Sequence, residues 1–257
     1  MTSEIAAAAL AIGLYMTALF LLALARRDNS VADIGWGPGF IVVALVGFFD
    51  RPGAAPRHVL VLVLVVVWGL RLALHVFLRN RKKGEDYRYT AWRARWGKWF
   101  VVRSYLQVFL LQGVFLLVIA LPLLLIPRVP EGRLGFLDAI GAAIWLAGFA
   151  FEAVGDAQLT RFKSRPENKG RIITTGLWRF TRHPNYFGEA VQWWGIFLIA
   201  LSVPGGAFAL ASPLAITLLL RFVSGVPMLE RKYRGRLDFE DYARRTNAFF
   251  PWIPKTK

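Results

Sequence analysis

Seven long apolar runs constrain the fold of this chain more than any other feature. Crossing the hydrocarbon core of a bilayer takes roughly 20 mostly apolar residues, and each run reaches or approaches that length. The runs occupy residues 5–25, 36–49, 59–78, 106–126, 137–159, 186–203 and 207–223. Because backbone polar groups inside a bilayer must be satisfied within the segment, such runs fold as helices. The sequence therefore predicts an all-α, polytopic membrane protein of one domain with seven transmembrane helices.

Basic residues between these runs are abundant in every second loop. If the N-terminus lies outside, the cytoplasmic loops are residues 26–35, 79–105, 160–185 and 224–257, and they carry 26 of the 32 Lys and Arg residues. The opposite loops carry 4. Since Lys and Arg accumulate in cytoplasmic loops, the asymmetry predicts an N-out, C-in orientation. The net charge of +16 then reflects topology and lipid contact, and nucleic-acid binding is not expected.

Two cytoplasmic segments have helical patterns of their own. Residues 86–100 alternate Arg or Lys with Tyr or Trp, as interfacial helices do. Residues 230–250 predict an amphipathic cytoplasmic helix.

Several common kinds of site are excluded by composition. The chain has no cysteine, which excludes a disulfide scaffold, an iron–sulfur site and a thiol nucleophile. Its 3 histidines are scattered and argue against a metal centre. There is no Walker-type loop, no GxGxxG and no GxSxG motif, so neither a Rossmann fold nor a serine hydrolase is expected.

Polar side chains interrupt three of the apolar runs near their predicted cytoplasmic ends. Their four-residue spacing places the members of each group on one helix face. The groups are Arg71, His75 and Arg79; Glu152 and Asp156; and Asn185 and Glu189. Charges inside a membrane helix are costly and usually mark a site, so the three groups are expected to converge on a buried cavity. Salt bridging between helices is the alternative.

The loop before the sixth run is the richest polar segment. It carries seven Lys or Arg residues within 160–185. Pro184 is expected at the first position of the sixth helix. Basic side chains beside a helix N-terminus suit phosphate, and Asn185 with Glu189 suits an amide-bearing ligand. A basic loop on anionic lipid headgroups is the alternative, and the embedded Asn and Glu favour a cofactor.

The stretch 176–189 (GLWRFTRHPNYFGE), followed by Trp-Trp-Gly at 193–195, resembles the C-terminal domain of steroid 5-alpha-reductases. It is more similar still to their bacterial relatives, long filed as a domain of unknown function. The resemblance covers about residues 150–254, and the N-terminal half matches the bacterial branch through 30–36 (SVADIGW) and 85–89 (EDYRY).

The family resemblance implies a seven-helix enzyme of the bacterial inner membrane. Residues 1–135 would form the substrate-side helices, and residues 136–257 the cofactor-binding part, which faces the cytoplasm. The implied reaction is NADPH-dependent reduction of a carbon–carbon double bond conjugated to a ketone, as in a 3-oxo-Δ4 steroid that yields its 5-alpha-dihydro product. The implied partners are NADPH, a hydrophobic enone or steroid and membrane lipid, with no obligate protein partner.

The resemblance also implies roles for individual residues. Asn185 and Glu189 would hold the nicotinamide carboxamide, Asp156 would lie near the ribose, and Glu189 also counts as a catalytic candidate. The other cofactor-binding candidates are Lys163, Arg165, Asn168, Arg171, Arg179, His183, Tyr186, Tyr242 and Arg245.

The group that polarises the ketone is expected in the N-terminal half. A hydrogen-bond donor must stabilise the enolate that develops during hydride transfer. Animal reductases use an early Glu and a Tyr directly after a His, but here Val76 follows His75. Asp33 is the nearest acidic counterpart, and Tyr87 or Tyr89 replaces the missing tyrosine. As purely structural roles, Asp33 would cap the second helix and Tyr87 would belong to an interfacial belt.

Two other functions stay open at this level. The Arg-His-Pro-Asn-Tyr-x-Gly-Glu element also occurs in isoprenylcysteine and phospholipid methyltransferases, which bind S-adenosylmethionine. NADPH carries three phosphates and S-adenosylmethionine none, so the surplus of positive charge and the acidic and basic lead-in from Asp156 to Arg171 favour the reductase. A membrane methyltransferase is the first alternative, and a non-enzymatic sterol-binding membrane protein is the second.

Overall fold

A computed structural model of the chain describes residues 2–49, 55–81, 83–128 and 133–255. Every regular element within these ranges is helical, which confirms the all-α prediction. The α-helices are α1 (Thr2–Arg26), α2 (Val31–Phe49), α3 (Pro56–Asn80), α4 (Tyr87–Trp96), α5 (Phe100–Ser104), α6 (Leu111–Ile119), α7 (Leu121–Leu125), α8 (Phe136–Ser164), α9 (Pro184–Ala200), α10 (Ala211–Leu218), α11 (Val226–Arg231) and α12 (Leu237–Arg245). Short 3-10 segments are Gly97–Trp99, Ile126–Arg128, Pro166–Asn168, Gly176–Arg179 and Gly206–Leu210, and π-helical segments are Tyr105–Leu110 and Leu219–Val223.

Six helical stretches of the described chain are long and apolar enough to cross a membrane. They are Ser3–Arg26, Val31–Phe49, Pro56–Asn80, Tyr87–Ile119, Phe136–Ser164 and Gly206–Arg231. Each overlaps one predicted run, and the remaining run, 186–203, coincides with α9. That helix has 17 residues. It rises about 26 Å, less than the roughly 30 Å of a hydrocarbon core. The predicted count of seven spans is therefore not confirmed, and the orientation stays a prediction.

The chain divides into two compact units. Unit 1 comprises Met1–Leu134 and Val203–Ala209, and it contains α1 to α7. Unit 2 comprises Gly135–Ser202 and Leu210–Lys257, and it contains α8 to α12. All of the predicted cofactor-binding residues belong to unit 2, whereas Asp33 and both candidate tyrosines belong to unit 1.

In unit 1, α2 packs against both α1 and α3. The backbones of α2 and α3 approach closely at two glycines, because a Cβ atom on Gly37 would lie 2.5 Å from the carbonyl oxygen of Gly69. Beside this contact, the buried Phe40 ring makes edge-to-face contacts with Trp36 at 5.1 Å and Trp68 at 5.4 Å between centroids. This packing fixes the N-terminal half of α2, where Asp33 lies.

Unit 2 is built on the antiparallel pair of α8 and α9. Gly141, Gly148 and Gly155 recur every seven residues along α8, so they share one face. A Cβ atom on Gly141 would lie 2.6 Å from the carbonyl oxygen of Gly195, and one on Gly148 would lie 2.7 Å from that of Gly188. Small residues allow such close backbone contact between membrane helices, where packing drives association. The contact brings polar side chains of α8 and α9 within hydrogen-bonding distance.

The segment after α10 differs from its prediction as one amphipathic helix over 230–250. The chain there forms α11, which ends at Arg231, and α12, which begins at Leu237. Gly235 lies in the turn between them with φ of +79°, a conformation that glycine adopts at little cost.

Gly188→Ala tests the close contact of α8 with α9. The added Cβ would lie 2.5 Å from the backbone nitrogen of Glu152 and 2.5 Å from the carbonyl oxygen of Gly148, so the helices must separate. We expect a loss of about 1–3 kcal/mol of stability, measured by unfolding in detergent. The control is Gly13→Ala in α1, where nothing lies within 4 Å of the added atom. Helix propensity alone predicts unchanged or slightly higher stability for this control, and equal losses would contradict the prediction.

Candidate functional site

Two polar pairs join α8 to α9. The side-chain amide of Asn185 donates to Oδ1 of Asp156 at 3.1 Å, and that of Gln192 donates to Oε2 of Glu152 at 2.5 Å. Glu152, Asp156 and Gln192 are all buried. The close contact of α8 with α9 thus brings two of the three predicted polar groups face to face, while the third, on α3, belongs to unit 1.

Asn185 presents a buried acceptor. Its Oδ1 is buried and has no hydrogen-bond partner among the described residues. The acceptor-only carboxylate of Asp156 binds the amide nitrogen, which fixes the orientation of the Asn185 side chain and leaves the oxygen available. A buried polar atom without a partner costs about 1–3 kcal/mol. Glu189 is buried one turn further along α9. This arrangement suits a ligand that carries an NH2 group.

The helix α9 begins at Pro184, as predicted. His183 precedes it at the N-cap position, and its Nε2 lies 3.1 Å from Oε1 of Glu230. Its ring also stacks on Tyr186 with centroids 5.5 Å apart. Burial lowers the pKa of His183, and this effect outweighs the opposing influence of the Glu230 carboxylate. The His183 ring therefore has two partners within the protein, Glu230 and Tyr186.

Arg182 fastens the C-terminal segment to the loop before α9. Its guanidinium makes two bonds to the Glu230 carboxylate, at 2.8 and 3.0 Å. It also donates to the carbonyl oxygens of Ala243 at 3.1 Å and Thr246 at 2.5 Å. Its backbone N–H donates to the carbonyl oxygen of Asn247 at 2.9 Å. A bidentate arginine–carboxylate pair is among the stronger polar contacts in proteins, so Arg182 serves the structure of this region.

Further hydrogen bonds extend this attachment. The Thr181 hydroxyl donates to the carbonyl oxygen of Phe249 at 2.8 Å, and the backbone N–H of Trp252 donates to that of Phe180 at 2.9 Å. Hydrogen bonds therefore join the loop before α9 to the chain from 246 to 252 along its length.

The predicted phosphate-binding side chains differ in their surroundings. Exposed positions are Lys163, Arg165, Arg171 and Arg179. The last three make no ion pair with any part of the chain that the structure describes. The Asn168 amide instead donates to the carbonyl oxygen of Phe162 at 2.9 Å, near the end of α8. The exposed arginines are accessible to an anionic ligand.

Tyr242 and Arg245 lie on α12 and have partners within the protein. The Tyr242 hydroxyl is buried and donates to the carbonyl oxygen of Trp178, and burial raises its pKa. Arg245 pairs with Asp241 one turn earlier on the exposed face of α12. The Trp178 indole donates in turn to the carbonyl oxygen of Gly155 at 3.1 Å. The cofactor-binding roles of Tyr242 and Arg245 stay predictions.

A second polar cluster, in unit 1, joins the two N-terminal motifs, residues 30–36 and 85–89. Asp33 lies in the first turn of α2. Its Oδ1 accepts a bond from the Tyr89 hydroxyl at 2.8 Å, and its Oδ2 accepts one from Arg88 at 2.6 Å. The interpretation of Asp33 as a helix cap is therefore wrong, because its carboxylate binds side chains of α4.

Asp86 anchors this cluster at the start of α4. It is the N-cap residue, and its Oδ1 accepts bonds from the backbone N–H of Arg88 at 3.0 Å and from the Arg88 Nε at 2.9 Å. Its own N–H donates to the Ser30 hydroxyl at 2.8 Å. Burial raises the pKa of Asp86, but the bonds and charge of Arg88, with the charge of Arg79, outweigh burial and lower it. Arg88 therefore bridges the carboxylates of Asp33 and Asp86.

The structure distinguishes the two candidate tyrosines. Tyr89 is 2% exposed and bonded to Asp33, whereas Tyr87 is 40% exposed. The geometry favours Tyr89 as the tyrosine that acts with Asp33.

Sequence reasoning did not single out three residues of these clusters. Arg88 counted only as one of the basic residues in the 86–100 pattern, although it lies next to a candidate tyrosine. Gln192 lies one turn beyond Glu189 on the helix face that carries Asn185 and Glu189. Its spacing in the sequence could therefore have identified it. Glu230 is a single acid at the start of a basic stretch, and only the fold shows that it pairs with Arg182.

Comparisons with known proteins place the chain in a family. The family model described as "Protein of unknown function (DUF1295)" matches residues 19–246, and the chain belongs to this family. Homologues include "3-oxo-5-alpha-steroid 4-dehydrogenase 1" of Rattus norvegicus, 31% identical over 113 residues, with 44% of this chain and 40% of the relative covered. The Homo sapiens protein of the same name is 28% identical over 114 residues, with 44% and 41% covered. "3-oxo-5-alpha-steroid 4-dehydrogenase 2" of Homo sapiens is 26% identical over 115 residues, with 45% and 42% covered.

These matches confirm the resemblance to the steroid 5-alpha-reductase family at low identity. The chain spans less than half the length of the curated relatives that it matches. No solved structure matches it significantly.

Arg182→Ala tests the attachment of the C-terminal segment. Loss of the bonds to Glu230 and to the carbonyl oxygens of Ala243 and Thr246 should release the chain after α12. We expect trypsin cleavage at Arg244 or Arg245 to become about tenfold faster or more, because charged hydrogen bonds contribute about 1.5–3 kcal/mol each. Mass spectrometry of a limited digest measures this. Arg231→Ala is the control, since that side chain is exposed and has no ion pair within the described chain. Equal cleavage of the two variants would refute the attachment.

Proposed function

We propose that this protein is an NADPH-dependent membrane oxidoreductase that reduces the carbon–carbon double bond of an enone lipid. The simplest substrate of this class is a 3-oxo-Δ4 steroid, which would yield its 5-alpha-dihydro product. Homology to the 3-oxo-5-alpha-steroid 4-dehydrogenases supports the reaction class. The unpaired, buried Oδ1 of Asn185 is the observation that carries the cofactor assignment.

The residues of unit 2 fit NADPH. Asn185 Oδ1 and the Glu189 carboxylate would accept hydrogen bonds from the carboxamide of the cofactor, and Asp156 would keep the Asn185 amide in the orientation that this requires. The exposed Arg165, Arg171 and Arg179, with Lys163, offer positive charge to its phosphates. When bound, NADPH supplies the hydride.

The Asp33–Tyr89 pair of unit 1 supplies the hydrogen bond to the substrate ketone in this proposal. Negative charge develops on the ketone oxygen as the double bond is reduced, and a preorganised donor stabilises that charge. Tyr89 is fixed by its 2.8 Å bond to Asp33 and shielded from solvent, both of which favour preorganisation. Asp33 accepts in that bond, so the Tyr89 proton must turn to the ketone when the substrate binds.

The membrane topology that we propose has seven spans, with α9 as a short one. The N-terminus lies outside and the cofactor-binding loop faces the cytoplasm of a bacterial inner membrane. The distribution of Lys and Arg, 26 against 4, supports this orientation.

Asn185→Leu tests the cofactor assignment. Removal of the acceptor should weaken NADPH binding about 10- to 100-fold, the equivalent of about 1–3 kcal/mol, as measured by calorimetry in detergent. Glu189→Ala should abolish NADPH oxidation with a Δ4-3-ketosteroid. Gln112→Leu in α6 is the control, because Gln112 also has a buried amide oxygen without a partner in the described chain. Its affinity for NADPH should be unchanged.

Three outcomes would count against the proposal. Near-normal NADPH affinity in Asn185→Leu would remove that residue from the site. Saturable binding of S-adenosylmethionine without NADPH binding would favour a methyltransferase. Sterol binding with no NADPH oxidation across several enones would favour a sterol-binding protein.

Tyr89→Phe and Tyr87→Phe test which tyrosine acts on the ketone. Each variant removes one hydroxyl from α4, but only that of Tyr89 is bonded to Asp33. We expect kcat to fall about 100-fold in Tyr89→Phe and to stay within about 3-fold of wild type in Tyr87→Phe. Steady-state NADPH oxidation with saturating enone measures both. The reverse order would reassign the role to Tyr87.

A further inference from the structure

We infer that Arg88 is a positioning residue for the reduction: it balances the charge of Asp33 and thereby holds the Tyr89 hydroxyl ready for the ketone. This inference rests on the proposed function. It is carried by the geometry of the unit 1 cluster, in which a single guanidinium contacts two carboxylates.

The two oxygens of Asp33 have separate partners. Oδ2 receives Arg88 at 2.6 Å, so Oδ1 receives only the Tyr89 hydroxyl, at 2.8 Å. Arg88 is itself held from the other side, where its Nε binds Asp86 at 2.9 Å. Asp86 is the N-cap of α4, so the guanidinium is fixed relative to the helix that carries Tyr89. The carboxylate therefore has one orientation, and the Tyr89 oxygen is held in one position, from which its proton turns to the ketone when the substrate binds.

The charge of Arg88 matters for the chemistry as well as for the geometry. Negative charge that develops on a ketone oxygen beside Tyr89 is repelled by an uncompensated Asp33, and this repulsion is strong where water is scarce. The Asp33 and Arg88 side chains are only 16% and 23% exposed. The other charged groups that act on the cluster are Asp86 at the start of α4 and Arg79 on α3. Asp86 offsets part of the positive charge of Arg88, and Arg79 adds positive charge to the cluster. Of these three groups, Arg88 is the one that is hydrogen-bonded to Asp33.

The chain contains a matched control on the same helix. Arg93 of α4 binds the Glu85 carboxylate with two bonds, at 2.8 and 3.1 Å, and Glu85 also accepts a bond from the backbone of Asn29. This pair links α4 to the chain before α2, whereas the Arg88 pair links α4 to α2 itself, and within the described residues no hydrogen bond or ion pair joins Arg93 or Glu85 to Asp33 or Tyr89. Arg93→Gln therefore shows how much activity is lost when α4 merely loses one ion pair.

The experiment uses the full-length protein in detergent with NADPH and a Δ4-3-ketosteroid. We expect kcat of Arg88→Gln to be about 100-fold below wild type, with KM and NADPH affinity within about 2-fold. Arg88→Lys should recover part of this loss, because it restores the charge without the second contact. Arg93→Gln should stay within about 3-fold. Thermal unfolding midpoints of all variants identify any that fail to fold.

A double substitution separates positioning from a structural role. If Arg88 acts through Asp33, the variant Arg88→Gln/Asp33→Asn should be no slower than Asp33→Asn alone, because the charge to be balanced is already gone. Rates that fall multiplicatively in the double variant, or equal losses in Arg88→Gln and Arg93→Gln, would overturn the inference while leaving the proposed function intact. If the wild-type protein reduces no enone, the proposed function fails and the inference fails with it.

Discussion

The direct backbone contact between α8 and α9 is the interaction on which unit 2 depends. Gly148 and Gly188 have no side chains that would hold the helices apart. Asp156 is therefore close enough to bind Asn185, and Glu152 close enough to bind Gln192. Isolated carboxylates would be costly in apolar helices, and pairing across the contact makes them tolerable. The same contact carries the start of α9, whose preceding loop holds the C-terminal segment through Arg182.

The two polar clusters differ in how completely they are satisfied. In unit 1, both oxygens of Asp33 accept hydrogen bonds, and Asp86 and Arg88 complete a closed set of partners. In unit 2, the oxygen of Asn185 is buried without a partner in the described chain, although its amide nitrogen is bonded. A satisfied cluster is suited to hold a donor in place before the substrate arrives. An open acceptor is suited to a ligand that completes it, which is why we propose that unit 2 binds the cofactor.

Much of the fold was predictable because it depends on local composition. The apolar runs predicted helices, and Pro184 predicted the first residue of α9. The length of α9 was harder to predict, since a run of apolar residues continues past Ala200 while the helix stops there. The expected helix over 230–250 is interrupted at Gly235, which adopts a positive φ that a residue pattern does not reveal. The capping role of Asp33 was wrong because its partners lie more than 50 residues away in the sequence, on α4.

By itself, the sequence determined that this protein is helical and apolar enough to cross a membrane, that it resembles the steroid 5-alpha-reductases, and that Asn185 and Asp33 are candidate site residues. Composition, spacing and motifs are properties of neighbouring residues, so they can be recognised along the chain. Only the tertiary structure decided which polar groups meet. Tyr87 and Tyr89 are two residues apart and alike in sequence, yet one is 40% exposed and the other 2%. Burial and the choice of partner depend on how distant helices pack, and it is this packing that joined Arg88 to Asp33 and left the Asn185 oxygen open.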